Sequence, residues 1–336
     1  MKNSFRDLQI RFEDTLIQFL WDQWSALGMA GRRGRPSPIP FMIDPEALLL
    51  ATTRFAKGET RFLVEVLDWL MENGKMIVSQ RIKNLQVGYH CGSVPVLLEF
   101  DEILTKARPR DWSSVKLLKE GFKEKHLLRA LPKDPELRGM SGHPDHGLAE
   151  NSIFTLRALW GGNARVETIA WLLTHDRGHP AGIAREGGWY SKSVQQILND
   201  LEASGMVHAE QREREKVFRL DHDRWLRWLR PDREGKARND LVWLNQPALY
   251  LGCRHVAEIL DALVAREEAS DRMQAITIRE GMATPIAGRS LSMVTAFDLA
   301  KLGSVFQGLS KLKGEELVER FYHDVEGLIA FLNREG

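Results

Sequence analysis

Apolar residues along the chain recur mostly at steps of three and four, which predicts helices with one buried stripe each. Phe5, Leu8, Phe12, Leu16, Phe19, Leu20, Trp24 and Leu27 form a stripe about six turns long. A second helix is announced by Asp44-Pro45-Glu46: a capping Asp, Pro at the first turn, and an early acid. Thr60–Glu72 follows with Phe62, Leu63, Val66, Leu67 and Leu70 inward, and Ser79 reads as the cap of a third helix through Ile82 and Leu85. That helix pair could be a packing unit or a second DNA-reading element with Gln80, Arg81, Lys83 and Asn84 exposed; packing is the preferred reading. Ser113–Leu131 also has helical spacing. Beyond the centre, Leu241–Arg266 predicts one or two helices. Met273–Ile278 could be a strand, Leu291–Leu312 is less regular, and Glu315–Leu332 is strongly periodic.

The central stretch changes register. Ala164–Leu173 is amphipathic, His175 to Pro180 breaks it, and Ala181–Glu186 is a short segment stopped by Gly187-Gly188. Ser191 is placed as the cap of a helix that runs to Ser204, with Gly205 at its end and Val194, Ile197, Leu198 and Leu201 on one face. Met206–Ala209 and Lys216–Leu220 flank a charged tip, the pattern of a hairpin. The order helix, short helix, capped helix, Gly, strand, basic tip, strand resembles the winged helix-turn-helix regulators of the MarR and ArsR type. Tyr190–Val207 is similar to their recognition helix and first wing strand. The likeness covers residues 164–220, about a sixth of the chain.

The resemblance implies double-stranded DNA binding in transcriptional control. Ser191, Lys192, Ser193, Gln195, Gln196 and Asn199 would meet base edges and nearby phosphates, Gln and Asn being suited to adenine. Arg212, Arg214 and Lys216 on the wing would hold the backbone or the minor groove. The fold class expected is mainly α with a small β-wing. The domain order is an amphipathic helix (1–27), a basic Gly/Pro linker (28–40), a helical domain (41–150), the winged helix (151–231) and a C-terminal helical domain (240–336). Because the first and last helices are apolar enough to pair, a homodimer is expected, which also suits paired half-sites. The rival reading is a protein-binding adaptor, or an antitoxin-like component of a bacterial defence system, with the winged helix as its docking module.

Charge and composition narrow the partners. With 47 Lys/Arg against 46 Asp/Glu, any nucleic-acid surface must be a local patch. Two windows supply one: nine basic against five acidic residues over Arg108–Arg138, and ten against six over Arg212–Arg238. In the first window Lys116, Lys119, Lys123 and Lys125 could touch phosphates, although a solvated helix face is the preferred reading. The linker holds Arg32-Arg33-Gly34-Arg35-Pro36, which resembles the Arg-Gly-Arg-Pro core of the AT-hook, a minor-groove arm, but has Arg32 where that motif carries proline. A solvated linker is the preferred reading there too. Two distant cysteines, Cys91 and Cys253, outline no disulfide framework or zinc spacing and fit a reducing cytoplasm. No run reaches about 18 apolar residues, so no membrane span is expected, and the acidic, amphipathic N-terminus is no signal peptide.

Enzyme chemistry finds little footing. Ser141-Gly142-His143-Pro144-Asp145-His146 approaches the metal run of metallo-β-lactamase-fold hydrolases, but Ser141 stands where the first histidine belongs. Pro132–Gly147 reads as a loop before the winged helix, where such residues make turns. His175, Asp176 and His179 suit helix capping better than metal binding. His90-Cys91 lacks an orienting third group for a nucleophile. No phosphate loop, dinucleotide fingerprint or nucleophile elbow is present. The expectation is a non-enzyme without cofactor or metal.

Overall fold

The computed structural model describes residues 4–31, 39–107, 129–212, 215–231, 236, 240–266, 268–283, 292–302 and 305–333, with Arg212 described by its backbone alone. The fold is mainly helical with one small antiparallel two-stranded sheet. The arm arginines Arg32, Arg33 and Arg35, and the lysines Lys116, Lys119, Lys123 and Lys125, lie outside the described residues.

The long first stripe forms α1 (Phe5–Ala26), capped by the Ser4 hydroxyl, which accepts from the Arg6 amide. Its apolar face is fully used inside the chain. Phe5 meets Tyr322 of α14 (Gly314–Asn333) with ring centroids 6.0 Å apart, and Arg11 pairs with Glu326 at 3.1 Å. Gln23 donates to the Tyr250 hydroxyl of α11 (Gln246–Val264) at 3.0 Å, and Trp24 Nε1 donates to Thr52 Oγ1 at 2.8 Å. Thr52 belongs to α2 (Pro45–Phe55), which is followed by α3 (Thr60–Asn73), α4 (Ser79–Tyr89) and α5 (Val94–Ala107). One hydrophobic cluster gathers buried residues from α1–α5, from α11, and from α12 (Asp271–Ala283), α13 (Met293–Leu299) and α14. The two helices expected to pair across a dimer therefore pack on each other within one chain.

Met273–Ile278 is helical, not a strand, because Gln274, Ala275, Ile278 and Met282 must all face inward, a spacing only a helix provides. Ser79 is the first residue of α4 and not its cap; Val78 takes the cap position, and its amide donates to Glu46 Oε1 at 2.7 Å. The loop 132–147 is strapped to α3, since Asp68 accepts from the amides of Gly139, Met140 and Ser141. Burial pushes the Asp68 carboxyl up, but those hydrogen bonds outweigh it and hold the group below the usual carboxylate range.

A second hydrophobic cluster belongs to the central stretch. It combines α6 (Ser152–Trp160), α7 (Ala164–Leu172), α8 (Pro180–Gly187), α9 (Ser191–Ala203), β1 (Val207–Arg212), β2 (Glu215–Leu220) and α10 (His222–Leu229). The strands pair from Val207↔Leu220 to Arg212↔Glu215, and Phe218 and Leu220 point to the same buried face. Gly178 adds a further rung: it exchanges two backbone hydrogen bonds with Phe218, each 2.9 Å long. A Cβ at Gly178 would lie 2.3 Å from Trp171 Cζ3, so the close approach needs glycine. Gly178→Ala is expected to cost on the order of 1–3 kcal/mol through overpacking. Urea unfolding checks it, and an unchanged midpoint would mean that Trp171 yields freely.

Buried ions join the two clusters. Arg81, which a second DNA-reading helix would have exposed, is completely buried. Its guanidinium is bidentate to Asp44 at 2.5 Å, reaches Glu46 at 2.7 Å, and donates through Nε to the Gly187 carbonyl. Arg157 of α6 grips the same Glu46 at 2.7 and 2.8 Å and Glu167 of α7 at 2.6 Å. The other Glu167 oxygen accepts from Trp189 Nε1. Three carboxylates and two guanidiniums thus lie between α2 and α4 on one side and α6, α7 and the α8–α9 turn on the other. Such a set needs nearly complete pairing to be tolerated.

Candidate nucleic-acid interface

The α9 helix is amphipathic by sequence and lies accordingly. Val194, Leu198 and Leu201 are buried, and Ile197 is partly buried against the same cluster. On the other side Ser191, Lys192, Ser193, Gln196 and Asn199 are exposed, while Gln195 is half-buried. Ser191 does not cap the helix. The turn after Gly188, which adopts a left-handed φ of 73°, delivers Tyr190 to the cap position, and no side chain closes it. Tyr190 is exposed beside Ser191. Gln195 donates to Asn199 Oδ1 at 3.0 Å and Gln196 to Asp200 Oδ1 at 3.2 Å. Contacts of this i,i+4 kind are worth only about 0.2–0.5 kcal/mol, so the amides can exchange them for other partners.

Cations near this face are mostly paired. Lys216 of β2 holds Glu202 of α9 at 2.6 Å and lies 5.0 Å over the Phe218 ring. Arg219 and Arg177 share Glu210, at 2.6 and 3.5 Å, and Arg165 stands 3.6 Å from Asp200. Exposed pairs of this kind are worth about 0–1 kcal/mol and give way readily to a phosphate. Arg214, and the side chain of Arg212, lie outside the described residues. The structure therefore brings Ser191, Lys192, Ser193, Gln196 and Asn199 onto one open face, with Gln195 at its edge and Lys216 held back by Glu202.

The turn between α7 and α8 is built by the histidines. His179 accepts from the Ala181 amide at 3.3 Å and caps α8. His175 stacks on Trp171 with ring centroids 3.8 Å apart, and its Nδ1 lies 2.8 Å from the Trp171 carbonyl oxygen. Lys301 Nζ donates to His175 Nε2 at 3.1 Å. Burial, followed by the Lys301 charge, holds His175 below its ordinary pKa despite the backbone contact.

The remaining chemical candidates are dispersed. His143 Nδ1 lies 2.8 Å from Asn73 Oδ1, and His146 Nδ1 lies 3.2 Å from Thr155 Oγ1. Asp145 accepts from the Gly147 amide, an ordinary turn. Among the described residues no three His, Cys, Asp or Glu side chains assemble as metal ligands. Burial pushes the Cys91 thiol up to about 12, which keeps it protonated. No helix among the described residues is long and apolar enough to cross a membrane.

Sequence reasoning missed two features of this region. Asp44 read as a cap and Glu46 as a first-turn acid, and Arg81, Arg157 and Glu167 gave no sign of meeting them. Trp160, Trp225 and Trp228 form a three-ring cluster with centroids 5.8–6.0 Å apart; the only hint was the i,i+3 spacing of Trp225 and Trp228.

Comparison with family models, with curated proteins and with solved structures finds no match for this chain.

Proposed function

We propose that the α7–β2 segment is a winged helix-turn-helix and that the protein binds double-stranded DNA sequence-specifically in transcriptional regulation. The observation that carries this reading is the open face of α9, where Lys192, Ser193, Gln196 and Asn199 project together while Val194, Leu198 and Leu201 anchor the other side. The likeness to MarR- and ArsR-type regulators adds the order of elements, and the Gly178–Phe218 rung ties the hairpin to the α7–α8 turn. In this reading α9 enters the major groove and the hairpin tip, with Arg212 and Arg214, lies along the backbone. A homodimer remains part of the proposal through paired half-sites alone, since the apolar faces of α1 and α14 cover each other.

The adaptor reading draws support from the acidic partners of the hairpin cations, Glu202 and Glu210, which lower the positive field there. Salt dependence separates the two. Duplexes selected from a random pool are titrated by fluorescence anisotropy between 50 and 200 mM salt, on the order of the range where counterion release is steep. DNA binding through several phosphates is expected to weaken by about 10³-fold or more for six or more contacts. Failure to retain any duplex above background would transfer the segment to the adaptor reading.

A further inference from the structure

The C-terminal helices reach the α7–α8 turn through one directed contact. Among the described residues, the bond from Lys301 Nζ to His175 Nε2 is the one side-chain hydrogen bond between the chain from α12 onward and the α6–β2 segment. We propose that this contact is a proton-sensitive latch: while His175 is neutral it holds the winged-helix turn to the C-terminal helices, and protonation of the ring releases it.

The hydrogen bonds fix the protonation state. His175 Nδ1 lies 2.8 Å from the Trp171 carbonyl oxygen, which only accepts, so Nδ1 carries the hydrogen. The Thr174 hydroxyl, 3.0 Å from the same nitrogen, donates to that carbonyl as well. Nε2 is left with a lone pair, and it accepts from the Lys301 ammonium, which only donates. A second proton on the ring fills that lone pair, removes the bond and sets two cations against each other.

Lys301 occupies a position that the backbone would give to glycine. Its φ is 60°, in the left-handed region. Its amide donates to the Asp298 carbonyl and that of Leu302 to Phe297, a helix-closing pattern in which glycine is the usual residue. What lysine adds there is a side chain that reaches His175. The ring it grips is stacked on buried Trp171, with centroids 3.8 Å apart and planes at 1°. Three residues on, Gly178 forms its rung with Phe218, and His179 caps α8. The latch therefore holds the turn on which both the hairpin and α8 depend.

The charges facing the ring set the direction. Lys301 opposes the proton from the C-terminal side. Glu186 of α8, which accepts from Trp171 Nε1 at 2.9 Å, and Asp176 in the turn favour it. Burial and Lys301 prevail over these acids and the Trp171 carbonyl, so the folded ring takes up its proton below its ordinary 6.5. The latch is closed at neutral pH. Its contribution to stability is complete above 6.5 and is lost as the pH falls through the folded value. Its effect on DNA rests on the winged-helix reading: release loosens the platform of α9, so acid weakens duplex binding more in the parent than in a variant without the latch.

NMR titration of the ten histidines tests the latch on the full chain, with His175 assigned by its loss in His175→Gln. His175 is expected to titrate below 6.5 in the parent and to move upward in Lys301→Gly, which suits the left-handed backbone and removes only the side chain. Hydrogen exchange supplies a second readout. Between about pH 7.5 and about pH 5, protection of the Gly178 and Phe218 amides should fall about tenfold in the parent, the scale of one charge-assisted hydrogen bond. In Lys301→Gly it should be low at both pH values, with no fall in the thermal unfolding temperature. Lys301→Asn, which also accepts the left-handed backbone but is too short to reach the ring, is the second variant should the first not fold. An unmoved His175 titration in the variants, or equal rung protection at the two pH values in the parent, would each overturn the proposal. Neither readout uses DNA, so a protein that retains no duplex fails the winged-helix reading, and the latch stands or falls on these two measurements.

Discussion

Arg157→Met is expected to destabilise the protein by about 3–5 kcal/mol, because it leaves Glu46 and Glu167 buried beside a single guanidinium. For a fold whose net stability is of order 5–15 kcal/mol, that is a large fraction. Removing charge on both sides, with Glu167→Met added, should recover part of the loss, since the orphaned carboxylate goes with it. Denaturant titration compares the three proteins; a single variant within about 1 kcal/mol of the parent would show that water reaches the cluster and that it is not a desolvated seam. The pH dependence has a definite sign. Burial alone would raise the Glu46 pKa, but Arg157 and Arg81 overcome it and hold the carboxyl at about 2, below its ordinary 4.5. The folded state thus binds fewer protons than the unfolded chain. The Glu46 contribution is complete above pH 4.5 and is lost as the pH falls toward 2. Stability measured down this range should fall less steeply in Arg157→Met than in the parent.

Gln196→Ala should weaken binding to a selected duplex by about 1–3 kcal/mol while leaving non-specific binding nearly unchanged. The geometry singles out Gln196 over Gln195. Gln195 is half-buried, whereas Gln196 is exposed and gives up only an i,i+4 hydrogen bond to Asp200 when it turns to an adenine. Replacing Arg212 and Arg214 by alanine should act differently. Affinity for every sequence should fall, and the salt slope should become shallower by about one unit for each phosphate that is no longer neutralised. Anisotropy on specific and scrambled duplexes measures both. Proportionate weakening on the two duplexes for both variants would refute the division of roles between helix and hairpin.

The open face of α9 could be read from the chain, because the positions of Val194, Leu198 and Leu201 define the buried side and leave the polar residues outward. The same logic recovered α1, α14 and the hairpin, whose stripe, period and turn residues are local properties. Ser191 and Ser79 misled by one residue, because a capping side chain and a first-turn residue look alike until the entering backbone is known. Met273–Ile278 misled because β-branched residues imitate a strand when read over six positions. Packing of α12 between α11 and α14 demands the longer, helical spacing.

Periodicity states that a face is buried and is silent about its partner. It therefore made α1 and α14 candidates for a dimer, whereas they cover each other across more than three hundred residues of chain. The ion cluster was out of reach for the same reason. Asp44 and Arg81 are 37 positions apart, Glu46 and Arg157 are 111, and nothing local distinguishes a guanidinium meant for solvent from one meant for a buried carboxylate. Alone, Asp44-Pro45-Glu46 is a helix start, and in part it is one, since Asp44 caps Ala47. Only the tertiary structure turned those acids into the seam between the two hydrophobic clusters. Burying a charge is costly unless its counterpart arrives from elsewhere in the chain, and that arrival is a property of the whole fold.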